Sequence, residues 1–121
     1  MVRWVIAALF VAHGLVHLLG FVVPWRLATV TGFPYRSDVL TGVDIGATGA
    51  RVLGVLWLLA GLGFVAGGLA LGLGAPWWWA VVLGSGLLSL ALAVLWWQQA
   101  YAGLVIDIAA LIGVAVYALA A

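Results

Sequence analysis

The sequence predicts an all-α fold: an integral membrane four-helix bundle with an up-down-up-down path. Three observations predict it. Of 121 residues, 69% are hydrophobic and 6% are charged, whereas a soluble globular chain is about 25% charged. Four apolar stretches are each long enough to cross a bilayer. Trp and Tyr gather where those stretches begin and end. The composition excludes a soluble enzyme, a nucleic-acid binder and a disordered chain.

A bilayer core about 30 Å thick takes roughly 20 residues of apolar helix. The first predicted span runs from Trp4 to Val23, between Arg3 and the Pro24-Trp25-Arg26 stop. It exceeds the apolar core of a signal peptide and lacks an A-x-A cleavage site, so it reads as a membrane helix. The second runs from about Val52 to Leu73, the third from Trp77 to Trp97 and the fourth from about Ala102 to Ala120. Interfacial aromatics agree with these limits. Trp4, Trp77-Trp78-Trp79 and Tyr117 form one belt, and Trp25, Trp96, Trp97 and Tyr101 the other. Together the spans make a single transmembrane domain over residues 1–121.

Leu73-Gly74-Ala75-Pro76 is a tight turn, with Pro set to start a helix. Gln98 to Tyr101 is nearly as short, and short links make antiparallel neighbours. The first connection, residues 24–47, is the long one. It carries Arg26, Arg36, Asp38 and Asp44, and is expected to be a surface connection with one helical turn near Ser37-Asp38. Arg26, Arg36 and Arg51 flank it, against Arg3 alone on the other side. The positive-inside rule therefore predicts a multi-pass protein of the cell membrane, such as a bacterial inner membrane. Its first loop is cytoplasmic and both termini lie outside.

The chain has no Cys, which removes disulfides, thiolate metal sites and thiol nucleophiles. No polybasic tract exists to hold nucleic acid or anionic lipid. The expected partners are the bilayer itself and a second copy or a larger membrane complex, with no nucleic acid. Gly63-x-x-x-Gly67 and Gly68-x-x-x-Gly72 suit close helix packing inside the bundle or between subunits.

Ionisable groups within a bilayer cost at least about 2.5 kcal/mol on insertion scales, so each needs a reason. His13, His17 and Asp107 are such groups, Arg51 stands at the membrane edge, and Ser85 and Ser89 lie in the third span. His13 and His17 are one helical turn apart and share a face with Ile6, Leu9, Phe10, Gly20 and Pro24. Asp107 shares one with Gly103, Leu104, Ala110, Leu111, Val114 and Ala118. At 1.5 Å per residue, His17 and Asp107 both lie roughly 9 Å below the same interface, with His13 about 6 Å deeper. Ser89 falls between those depths and Arg51 enters just above. The polar groups of all four spans thus converge beneath the first loop.

Three readings of that convergence stay open. One is a structural hydrogen-bonded cluster, with Asp107 paired to Arg51 or to a histidine. The second is a proton, ion or ligand site of His13, His17, Asp107, Arg51 and Ser89, in a binding, transport or accessory subunit. The third is a metal-dependent membrane enzyme, in which His13, His17 and Asp107 form a two-His-one-carboxylate set for a divalent metal. Other chemistry is dismissed. Histidines on one face cannot grip a haem from both sides, and Ser85 and Ser89 have no G-x-S-x-G context.

At Ala12-His13-Gly14-Leu15-Val16-His17-Leu18-Leu19-Gly20-Phe21 the chain resembles small, uncharacterised bacterial four-helix membrane proteins that open with H-G-x-x-H-L-x-G-F. Trp97-Gln98-Gln99-Ala100-Tyr101-Ala102-Gly103 resembles their second marker, W-x-D-A-x-x-G, with Gln99 at the Asp position. The resemblance implies the four-helix fold and points at His13 and His17. It implies no activity. Small multidrug transporters and small fluoride channels are alike only in size and helix count. The first depend on a Glu, which this chain lacks.

Overall fold

The computed structural model describes residues 2–31, 33–40 and 42–120; for Trp97, Gln98, Gln99 and Ala118 it describes backbone alone. The Gln99 marker, the Trp97 belt position, Ala118 on the fourth-span face and the two terminal residues therefore lie outside the described groups.

Among the described residues, four helices are long and apolar enough to cross a membrane. The first span is α1 (Val2–Val16) continued by the short α2 (Leu19–Val22). The second is α3 (Gly46–Leu73), the third α4 (Trp78–Leu95) and the fourth α5 (Trp97–Ala120). α5 bends at Ala100 (φ −119°, ψ 15°), so its membrane-length stretch is Ala100–Tyr117. The all-α bundle matches the predicted class.

Boundaries differ from expectation in three places. The third span ends at Leu95 and α5 begins at Trp97, so the expected Gln98–Tyr101 link is helix bent at Ala100 and the turn lies at Trp96. α3 starts at Gly46 rather than near Val52, because Gly-Ala-Thr-Gly-Ala continues the helix above the apolar stretch. Its other end is as the sequence predicts: Gly74 adopts a left-handed φ of 80°, and Ala75 N–H closes onto Ala70 O. The predicted helical turn near Ser37-Asp38 is absent, and a two-stranded antiparallel ladder stands there instead. β1 (Asp38–Val39) pairs with β2 (Val43–Asp44), Asp38 facing Asp44. The Arg36 guanidinium bonds both Asp38 oxygens at 2.9 and 3.1 Å. Ile45 N–H donates to Ser37 O, and Leu40 N–H to Leu95 O. Such cross-links satisfy the loop backbone better than one isolated turn of helix would. The same Arg36 bonds hold the Asp38 carboxyl below the usual carboxylate range.

α3 is the central helix, packed by α1 and α2 on one side and α4 on the other, while α5 packs on α4. Its glycines serve both sides. A Cβ on Gly67 would lie 2.5 Å from a Val82 methyl of α4, and one on Gly68 would lie 2.8 Å from Ala7 O of α1. The predicted small-residue spacing is thus used within the bundle. In the half nearer the termini, Phe64, Ala70, Trp78, Val82 and Val114 form an apolar core, with Phe10 packed against it. Trp57, Leu92, Trp96 and Val39 form a second core beneath the loop. α1 and α5 touch each other only sparsely.

Candidate functional site

Helix α1 tightens where its histidines lie. His17 N–H donates to Gly14 O at 3.1 Å and Leu18 N–H to Leu15 O at 3.1 Å, a 3₁₀-type turn between α1 and α2. The His13 carbonyl, one turn back, accepts the His17 imidazole Nδ1–H at 2.8 Å. A carbonyl only accepts, so Nδ1 carries a proton and the ring orientation is set. Gly61 of α3 makes room for it: a Cβ there would sit 2.7 Å from Gly14 O and 2.8 Å from His17 Cβ. Two facing glycines therefore bring α1 and α3 to backbone contact at the depth of the histidines.

From that platform a chain of bonds reaches α4 and α5. His17 Nε2 lies 2.7 Å from Ser89 Oγ, and Ser89 Oγ lies 2.5 Å from Asp107 Oδ2. The other carboxyl oxygen, Oδ1, lies 2.8 Å from His13 Nε2. The circuit closes through the His13 backbone. Asp107 is fully buried, with Ser89 at 1% and His17 at 3% exposure. Aromatic rings wrap it. Phe64 stands edge-on to His13 with centroids 4.8 Å apart, and Trp57 is 5.1 Å from His17.

The donor inventory limits where the protons sit. Three side-chain bonds need three protons, and Ser89 owns one. With Asp107 as the acceptor of the His13 bond, the proton of that bond is the one on His13 Nε2. One more proton must lie on either His17 Nε2 or Asp107 Oδ2. In the first placement His17 is a cation beside an Asp107 carboxylate. In the second both are neutral, and the Ser89 hydroxyl donates to His17 instead. Net charge is zero in each. Moving two protons along His17–Ser89–Asp107 converts one into the other without moving a heavy atom far.

The same residues are metal-capable. One ligand atom from each of His13, His17 and Asp107 lies within 4.8 Å of the others, and His17 Nδ1–H on a carbonyl is the usual second bond of a metal-binding His. Yet the inward ring nitrogens and carboxyl oxygens are already engaged, with one another or with Ser89 Oγ, at 2.5–2.8 Å. A cation with ligands at about 2.0–2.2 Å would have to replace the His13–Asp107 and His17–Ser89 bonds.

Of the predicted residues, the structure joins His13, His17, Asp107 and Ser89. Arg51 stands apart. It is exposed, its guanidinium lies over the Trp25 ring at 5.6 Å, and its carbonyl accepts the Trp25 indole N–H. Of the two partners expected for Asp107, Arg51 or a histidine, the structure shows the histidine, His13, with Ser89 on the other oxygen. His17 and Asp107 meet through Ser89 rather than directly, because α1 and α5 do not pack closely. Ser85 is buried opposite Gly63 and takes no part in the circuit. Ile6 and Leu9, expected on the histidine face, are exposed, and Ala7, Gly14 and His17 are the buried stripe.

Sequence reasoning missed Trp57 and Phe64. Trp57 carried a signal: it lies mid-span, away from both aromatic belts. Its indole Nε1 is the one buried side-chain polar atom without a partner among the described residues, a cost of about 1–3 kcal/mol. It walls a cavity of about 280 Å³ under the loop, also lined by His13, His17, Phe33, Gly103 and Ile106. A second cavity of about 490 Å³ lies on the other side of the His13–Asp107 bond, lined by Phe10, Ala110, Val114 and Tyr117 among others. Comparison of the chain with protein-family models, curated proteins and solved structures finds no match.

Proposed function

We propose that this chain is a binding, transport or accessory subunit of the cell membrane whose intramembrane circuit holds a movable proton. The observation that carries the reading is the buried His17–Ser89–Asp107 line, which accommodates its protons in two ways at equal net charge. A purely structural tie across a bundle needs one hydrogen bond, and close glycine contacts already join α1 to α3 and α3 to α4. A His–Ser–Asp line closed by a second His is the equipment of a site that accepts and returns a proton. The titratable groups that face it are those two histidines and Asp107. α3 contributes Trp57 and Phe64 there, neither of which titrates.

The test is melting temperature in mild detergent between pH 5 and 8, for wild type, His17→Gln and Asp107→Asn. The expected result is a pH-dependent wild-type curve whose dependence vanishes in His17→Gln. A pH-independent wild type that loses much of its stability in Asp107→Asn would leave only a structural tie.

A second reading rests on the ligand-atom spacing of His13, His17 and Asp107, as a divalent-metal site in a membrane enzyme. Metal content after purification in mild detergent decides between the two. Stoichiometric metal that is lost in His13→Gln favours the enzyme. The orientation proposed is loop inside and both termini outside, supported by the arginine distribution. External labelling in whole cells of Ser37→Cys but not Ala121→Cys would reverse it.

A further inference from the structure

We propose that the cavity beneath the loop binds an uncharged, membrane-dissolved phenol, whose hydroxyl donates to His13 Nδ1. This deepens the proton-circuit reading by naming a ligand for the same site. It rests on the circuit's placement of a proton on His13 Nε2.

With Nε2–H engaged by Asp107, the other nitrogen of His13 presents a lone pair. Among the described residues nothing bonds to it, and His13 keeps 12% of its side chain accessible. The cavity is where that access leads, because His13 is one of its lining residues. The lipid phase offers no donor to an imidazole nitrogen, so a ligand in the cavity that carries one gains a hydrogen bond there.

The walls specify the rest. Trp57 and Phe33 supply aromatic surface, and Gly103 leaves open space against them. A volume of about 280 Å³ is at the small end of ligand pockets, which run about 300–1,000 Å³, and suits one substituted aromatic ring. Val16 and Ile106 at the mouth are 60% and 49% exposed. The cavity therefore opens sideways on the sparse α1–α5 seam, at the depth of lipid tails. A charged ligand would not travel by that route. An uncharged hydroxyarene would.

The experiment uses the full chain in detergent, with histidine ring nitrogens labelled with ¹⁵N. The chain has two histidines, so the ring spectrum is readable. The probes are 4-(trifluoromethyl)phenol and its methyl ether, which has the same ring but no donor. The phenol is expected to bind saturably and to shift His13 Nδ1. The ether is expected to bind about tenfold more weakly, the usual effect of one lost hydrogen bond. Gly103→Leu fills the cavity, where a Cβ meets nothing within 4 Å, and is expected to abolish phenol binding with the melting temperature kept. Equal affinity for the two probes, an unmoved His13 Nδ1, or wild-type phenol affinity in Gly103→Leu overturns the proposal. The probe-free spectrum judges the circuit separately: a His17 Nδ1 without a proton defeats the proton reading alone.

Discussion

The seams on either side of α3 and the seam between α1 and α5 join helices of similar composition by opposite means. Along α3, Gly61 faces Gly14, Gly67 faces Val82 and Gly68 faces Ala7, each so near that a Cβ would fall within 2.5–2.8 Å of an atom across the contact. Between α1 and α5 the described side chains form one polar bond, His13 to Asp107 at 2.8 Å, with a cavity to each side. In lipid there is no hydrophobic drive to press helices together, so close van der Waals contact and interhelical hydrogen bonds are what remain. The first kind admits a single arrangement. The second leaves room beside it. The difference locates the close packing at α3 and the open space at the α1–α5 seam.

The sharpest way to break this comparison is to crowd the close seam. Gly61→Leu would drive side-chain atoms into Gly14 O and His17 Cβ, and backbone cannot step aside. A loss of about 3 kcal/mol or more is expected, read as loss of folded protein in detergent. A folded, wild-type-like Gly61→Leu would show that the α1–α3 contact is not tight.

Next in size is the circuit. Ser89→Ala removes both of its bonds and leaves His17 Nε2 and Asp107 Oδ2 buried without partners, at roughly 3 kcal/mol. Ser85→Ala, one turn away and buried outside the circuit, is expected to cost less than half as much. Equal effects from the two serines would mean that the circuit is no more than packing.

A smaller effect, of opposite sign, is expected at the open seam. A Cβ at Gly103 or Gly113 meets nothing within 4 Å, which leaves room for Gly103→Leu and Gly113→Leu, and Gly in a helix costs roughly 0.5–1 kcal/mol relative to Ala. Both variants should therefore melt at or slightly above wild type. Unfolding in either would show that the seam is closed.

The smallest effect lies in the loop. Arg36 holds the Asp38 carboxyl below its ordinary range, so the pair's contribution is present above that range. It is lost as pH falls through the lowered folded-state value. Loss of amide protection at Val39 and Val43 is expected once pH falls below the ordinary carboxylate range, with helix content unchanged. Because the pair is exposed, the bundle's own melting should hardly respond. A bundle that melts with the hairpin would make the loop part of the core.

Much of the site was legible in the sequence because depth is additive along a helix. Counting residues from the interfaces placed His13, His17, Ser89 and Asp107 at similar depth, and the structure bonds these four. Counting also placed Arg51 near them, and there it misled. Depth carries no information on azimuth, and Arg51 turns outward to the Trp25 ring. The hairpin at Asp38–Asp44 was illegible for another reason. Its pairing depends on Leu95 O and the Trp96 indole, which bond Leu40 and Asp38 from far along the chain.

Hydropathy, length and aromatic placement by themselves determined four spans and their order, since every span must satisfy its own backbone within the bilayer. They also determined which residues were out of place there. Only the tertiary structure decided that α3 is central, that Gly14 and Gly61 meet, and that the 3₁₀ turn at His17 frees the ring to reach Ser89. The physical reason is that rotation of each helix about its axis is set by contacts with its neighbours. Those contacts depend on pairs of residues far apart in sequence, such as Asp107 with His13, and the periodicity of one helix holds no record of them.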